Sequence, residues 1–425
     1  MSLTPDELTH VTTIDTDRRT VEIALDQIKN LVSERALTGE TVLLNMGPQH
    51  PSTHGVLRLL LELDGENIVS CIPDIGYLHT GIEKNMENKN FEQALVMTDR
   101  IDYLNNLGNN LAYCLAIEKL VDLDVPERAQ IIRVIIAELQ RISSHLVWLA
   151  THILDLGATS VMLYAFRDRE QILDLFEMVG GQRMMGSYIR PGGVWRDLTD
   201  EFIPALRKFI NYLPYKLDDY ERLLNANPFF IDRTRGTGVI TPEAIQRWSL
   251  GGPLMRGSGI NFDIRKAQPY TGYERFDFDV PLGSNGDVYD RYMVRMGEMR
   301  ESLRIIKQAL RILPDGPFRS ENRKFVPPPR AELGTSVEAV IHHFKLWTEG
   351  FKAPQGEVYV RVESPRGELG VYLAGDGGAK PYRVHFRTPS FYNLQAMSEI
   401  TRGSMLADLV AIVGSADFTL GDCDR

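Results

Sequence analysis

Apolar and polar positions change rhythm several times along the chain, and each change predicts a different kind of element. Before residue 41 the sequence is mostly polar. Val21, Ile23, Ala24, Ile28, Leu31 and Val32 fall at partly helical spacing and predict one short amphipathic helix. TVLLNM at 41–46 reads as a strand, and GPQHPSTHG at 47–55 as a loop punctuated by prolines and glycines. VLRLLLELDGENIVSCIP then reads as a hairpin about an Asp64-Gly65 turn. From about Phe91 to Met178 the pattern is helical. Its clearest part follows Pro126, where Ile132, Ile135, Ile136, Leu139, Ile142, Leu146, Leu149 and Ile153 recur at three- and four-residue steps, the stripe of a core helix. Gly157 ends that stripe and Val161 to Met178 resumes it. GQRMMGSYIRPGGVW is a loop, and helical spacing returns over Phe202–Leu224 and Asp287–Leu313. After the PPPR connector at 327–330, GEVYVRVES, GELGVYLAG and YRVHFRTPS alternate with period two and predict a small antiparallel sheet.

The pattern gives an α+β chain with a central helical bundle flanked by small antiparallel β-sheets. The expected divisions are a polar extension over 1–40, an N-terminal β-region over 41–76, a helical bundle over 77–326 and a C-terminal α/β region over 327–425. Composition narrows the class. Apolar residues make up 43% of the chain and charged residues 24%, the balance of a globular protein. A net charge of −10 argues against sequence-independent nucleic-acid binding. The longest charge-free run, Thr41 to Leu57, holds two prolines and two histidines, so no membrane-spanning helix is expected. Cys71, Cys114 and Cys423 form no pair at metal-site or redox spacing, and the N-terminus shows no secretory pattern; a reducing, cytoplasmic setting is expected.

Much familiar chemistry is missing. The chain has no GxGxxG, no GxxxxGK[ST], no HExxH and no CxxC. Two of its nine histidines, His50 and His54, share the proline-bracketed loop. Four apart on a helix they would suit a metal, but Pro48 and Pro51 break the helix. Tyr103 in DRIDYLNN reads as a core tyrosine, and Asp155, at the end of an apolar helix, as a carboxylate in contact with water. A His, Tyr and Asp drawn from separate segments also make a proton-donor group, with the aspartate fixing the histidine tautomer. Residue types alone leave both readings open.

Ten strings in order, MGPQHPSTHGVLRL, GYLHTGIEK, DRIDYLNN, RISSHLVWL, LDLGA, YIRPGG, DVPLGSNGDVYDR, SVEAVIHHFK, ESPRGELG and GDCDR, closely resemble the quinone-site subunit of respiratory complex I, the D-type or 49 kDa subunit. The resemblance runs from about Thr41 to Arg425. That family is similar to the large subunit of [NiFe] hydrogenases, which implies a hydrogenase-like fold. The hydrogenase thiolate pattern is absent: Asp102 and Asn105 stand at the first two positions, and Cys423 is the one thiol near the other pair. A single thiolate cannot supply the soft ligand set of nickel and iron, so no metal is expected and a hydrogenase is excluded.

The resemblance implies that a quinone headgroup is held between His54 and Tyr103, with Asp155 the partner of His54 and Thr151 lining the pocket. Two-electron reduction puts negative charge on the two quinone oxygens, which hydrogen-bond donors would meet. It implies further that electrons come from a [4Fe–4S] cluster in an adjacent small iron–sulfur subunit. The position beside that cluster, a histidine in many members, is Met185 here. Other peripheral-arm and membrane-arm subunits would complete a proton-translocating NADH:quinone oxidoreductase. This chain would sit on the cytoplasmic side of a bacterial inner membrane, held through its partners and inactive alone. The competing reading is a structural scaffold with a degenerate pocket.

Overall fold

A computed structural model describes residues 41–48 and 55–425, together with a pair of two-residue strands at Asp15–Thr16 and Arg19–Thr20. The helix expected over residues 21–32 lies outside the described residues, as do His50 and His54.

Strands β1 (Val42–Met46), β2 (Arg58–Asp64) and β3 (Asn67–Asp74) form an antiparallel sheet in that order. The hairpin turn sits one residue later than the sequence suggests. Asp64 pairs with Asn67, which leaves Gly65-Glu66 as the loop, and Gly65 takes the left-handed φ of 62° that such a turn requires. Leu59, Leu61 and Leu63 alternate inward from β2.

The stretch from Phe91 to Met178 is four helices rather than one run: α1 (Phe91–Thr98), α2 (Asn106–Val121), α3 (Glu127–Asp155) and α4 (Thr159–Gly180). Asn90 caps α1 by accepting from Gln93 N, and the Gln93 side chain returns the bond to the Asn90 amide. Helix α3 has 29 residues, about 44 Å at the usual rise. Every member of the expected apolar stripe on α3 is at most 1% exposed. Each such aliphatic side chain contributes about 1.5–3 kcal/mol of transfer free energy. Helices α5 (Phe202–Asn225) and α6 (Val288–Ile312) complete the bundle, with α6 packed along α3.

A second antiparallel sheet follows, of β4 (Gln355–Ser364), β5 (Gly367–Asp376) and β6 (Pro381–Arg387), with β5 central. Its first hairpin closes through Pro365-Arg366, and this turn aims Arg366 into the bundle. Helices α7 (Leu406–Ala416) and α8 (Leu420–Asp424) return the chain to the bundle. Asp424 then accepts from Gly76 N at 2.9 Å and Leu78 N at 2.7 Å, while His79 Nδ1 lies 2.6 Å from the Asp424 carbonyl. The α+β class expected from the pattern is the observed one. No described helix is long and apolar enough to cross a membrane.

Candidate functional site

The loop between α1 and α2 carries Tyr103, and α2 fixes it from beneath. Asn109 Nδ2 donates to the Thr98 and Asp102 carbonyls at 3.0 and 3.2 Å, and Asn110 Nδ2 donates to Asp99 Oδ1 at 2.8 Å. From the side, Gln140 Nε2 on α3 donates to Leu104 O at 2.6 Å. Glycine at 421 lets α8 approach closely: a Cβ there would lie 2.6 Å from Ile101 O. The segments Arg100–Asn105 and Gly421–Arg425, far apart in sequence, therefore meet.

Asp102 is 2% exposed and anchors this meeting point. Arg366 Nη1 donates to Asp102 Oδ2 at 2.7 Å and to Ser144 Oγ at 3.2 Å, and its Nη2 reaches Asp417 Oδ1 at 3.2 Å. Thr419 Oγ1 donates to Asp102 Oδ1 at 3.3 Å. Asp422 accepts from Ser390 N at 3.0 Å; burial first and the nearby Asp102 second push its carboxyl up to about 7. Burial likewise pushes the Cys423 thiol well up, so it stays protonated and a poor metal ligand. Among the described residues no group of three or more His, Cys, Asp or Glu side chains is placed to hold a metal ion.

Tyr103 sits half-buried on this base. No described residue hydrogen-bonds its hydroxyl. Burial first, and Asp102 next, raise its pKa, so the phenol keeps its proton at neutral pH and remains a donor. Thr151 and Asp155 lie four residues apart on the last turns of α3 and share a face. The Thr151 hydroxyl donates back to the Val147 carbonyl at 3.0 Å and to that of Trp148 at 3.3 Å, which leaves its methyl and lone pairs for a ligand. Asp155 is half-buried. Along α3 it stands about 16 Å beyond Ser144, the residue that shares Arg366 with Asp102. Tyr103 thus stands on the Asp102–Arg366 base, and Thr151 and Asp155 stand on the last turns of α3.

Met185 lies in the loop after α4 with a left-handed φ of 56°. Two residues on, Ser187 donates to Asp99 Oδ2 at 2.5 Å, which ties the Met185 loop to the Tyr103 loop. Sequence reasoning passed over Arg366 and Asp417, and gave Asp422 no role beyond its place beside Cys423. Arg366 and Asp422 stand within ESPRGELG and GDCDR, strings that carried the resemblance, but no spacing rule marked them as buried.

A helical α+β scaffold whose segments Arg100–Asn105 and Gly421–Arg425 meet on a buried carboxylate–guanidinium base is the frame in which the comparisons with known proteins place a class. The model of the respiratory-chain NADH dehydrogenase 49 kDa subunit matches residues 155–425, and the chain belongs to that family. It is similar to the second D-type subunit of the NADH-quinone oxidoreductase of Chloroflexus aurantiacus, 58% identical over 93% of this chain and 97% of the relative. It is also similar to the first D-type NADH-quinone oxidoreductase subunit of Roseiflexus castenholzii, at 57% over 93% and 96%. NADH-quinone oxidoreductase subunit 4 of Thermus thermophilus is 54% identical over 95% and 98% of the two chains.

Proposed function

We propose that this chain is the quinone-site subunit of a proton-translocating NADH:quinone oxidoreductase. The observation that carries the reading is Tyr103: a protonated phenol, half-buried, with a hydroxyl that no described residue engages, on a loop pinned by Asn109, Gln140 and the Asp102–Arg366 pair. A donor held in place before the reaction stabilises developing negative charge without reorganisation. In this reading Tyr103 donates to one quinone oxygen and His54 to the other. Asp155 holds the His54 imidazole and favours its protonated form, and the Thr151 methyl lines the pocket. Electrons come from the [4Fe–4S] cluster of an adjacent iron–sulfur subunit, while flavin, NADH and proton pumping belong to other peripheral-arm and membrane-arm subunits. The chain is held on the cytoplasmic side of a bacterial inner membrane through those partners.

Comparing the two loop histidines tests the ligand assignment. His54→Ala should impair quinone reduction in the assembled complex. His50→Ala should act through loop structure, since polar side chains in proline-bracketed loops mostly satisfy backbone groups. Equal catalytic losses at both positions, with assembly unchanged, would count against His54.

Met185 makes a separate prediction. A histidine beside the cluster would link its reduction to protonation, whereas a thioether takes no proton. Arg183 in the same loop is permanently charged, is salt-bridged to Glu170, and supplies no pH dependence. The cluster's midpoint potential should be nearly flat from about pH 6 to 8, and Met185→His should introduce a slope. Redox titration followed by electron paramagnetic resonance measures both. A slope near 60 mV per pH unit in the unaltered protein, the one-proton, one-electron limit, would show that another group titrates there.

A further inference from the structure

The loop that carries Met185 and the loop that carries Tyr103 meet through a buried hydrogen bond, from Ser187 Oγ to Asp99 Oδ2 at 2.5 Å. Ser187 is 5% exposed and Asp99 0%. The backbone here is in an unfavoured state. Met185 and Ser187 take φ of 56° and 42°, the left-handed region in which glycine is the ordinary choice. Such a conformation persists where the surroundings over-determine it. At Ser187 two bonds do so: the hydroxyl donates to Asp99, and the carbonyl accepts from Arg190 Nε at 2.8 Å. A glycine would take the same φ without strain, but it would bring no hydroxyl to Asp99.

From Asp99 to Tyr103 each step is a hydrogen bond or a shared peptide. Asp99 Oδ1 accepts from Asn110 Nδ2 at 2.8 Å, and the same amide donates to Thr98 Oγ1 at 2.8 Å. The neighbouring Asn109 donates to the Thr98 carbonyl at 3.0 Å and to the Asp102 carbonyl at 3.2 Å. That last carbonyl belongs to the peptide that joins Asp102 to Tyr103. Two consecutive asparagines, each at most 1% exposed, thus hold Asp99 and the Tyr103 loop to one helix, α2. The earlier part of the Met185 loop is tied to α4 instead. Arg183 pairs with Glu170, and Arg169 Nη2 reaches Met184 Sδ at 3.8 Å. At Ser187 the loop passes from α4 to the base of Tyr103.

We propose that Ser187 and Asp99 are positioning residues for Tyr103. Their bond makes the Met185 loop and the Tyr103 loop one body, so the phenol keeps its place relative to the loop that faces the partner's cluster. The inference rests on the quinone-site reading above. Neither residue touches the quinone; both act through the placement of the phenol. A reacting group displaced by about 1 Å loses roughly 10²-fold in rate. The loss at Ser187 cannot exceed the loss on deleting the phenol itself.

The test uses Ser187→Gly and Ser187→Ala in the assembled complex, each alone and combined with Tyr103→Phe. Both remove the hydroxyl. Glycine also relieves the backbone at 187, so it carries the test should the alanine variant fail to assemble. Each should slow quinone reduction by roughly 10²-fold and weaken quinone-analogue binding in parallel. Reduction of an artificial acceptor at the NADH end should not change. On a Tyr103→Phe background the same substitutions should cost less than about two-fold more, because residues that act through one another are not additive. Normal turnover of Ser187→Gly beside a slow Tyr103→Phe would overturn the positioning role and leave the quinone site standing. Losses that multiply in full in the double variants would overturn it too, since Ser187 would then act on something other than the phenol. Normal turnover of Tyr103→Phe would overturn the quinone-site reading and the positioning role together.

Discussion

Tyr103→Phe should leave the complex assembled and lower its quinone reduction by roughly 10²–10³-fold, the effect of removing one preorganised donor from a developing oxyanion. The substitution deletes one oxygen and keeps the ring. The loop is held by Asn109, Asn110, Gln140 and Arg366, none of which bonds the phenol, so its fold should not change. Electron transfer from NADH to an artificial acceptor that bypasses the quinone should survive. Binding of a quinone-analogue inhibitor should weaken in parallel with the rate. Near-normal quinone turnover in the assembled variant would remove Tyr103 from the site, and undiminished inhibitor binding would favour the scaffold reading.

Arg366→Met should destabilise the protein by about 3–5 kcal/mol, the usual result of removing one partner from a buried ion pair. Arg366 is 1% exposed and spans Asp102 and Asp417 with its two terminal nitrogens. Without it two carboxylates remain in the interior, short of a cation. Arg366→Lys should recover part of the loss, because one ammonium supplies the charge but not the fork. Arg304 provides the control. Its side chain is 40% exposed beside Asp277, Asp279 and Glu301, so solvent screens those pairs and Arg304→Ala should leave stability nearly unchanged. Denaturant midpoints and the amount of this chain retained in the complex report both. Similar losses at 304 and 366 would show that the buried pair is not what holds the Tyr103 loop.

Period alone made the second sheet and the core helices legible. GELGVYLAG alternates because β5 turns Leu369, Val371 and Leu373 to the core, and Ile132 to Ile153 repeat at helical spacing because α3 turns that face to the core. The breaks within Phe91–Met178 were harder to see. Asn105 begins a helix at a position where the apolar rhythm hardly falters. The buried polar residues of α3 were also missed, for a physical reason. Arg133, Glu138, Arg141 and His145 read as the solvated face of an amphipathic helix, yet all are at most 2% exposed. Their partners, Glu118, Arg265, Glu363 and Glu298, come from other elements, so a one-dimensional pattern could not distinguish a wet face from a paired one. Tyr103 and Asp155 became candidates only through resemblance, since neither a lone tyrosine nor a helix-terminal aspartate announces a task. The structure adds the frame that holds Tyr103.

The clasp of Asp424 on Gly76 and Leu78 joins residues more than 340 positions apart. Contacts of such long span form late, because the entropy of closing so large a loop must be met before the contact contributes anything. A chain that has already paired α3 with α4 therefore still lacks the base beneath Tyr103, since Asp417 and Asp422 arrive with the same final segment. A neighbouring protein that docks on the finished surface would accept mature copies and pass over immature ones, so the clasp would act as a checkpoint in assembly.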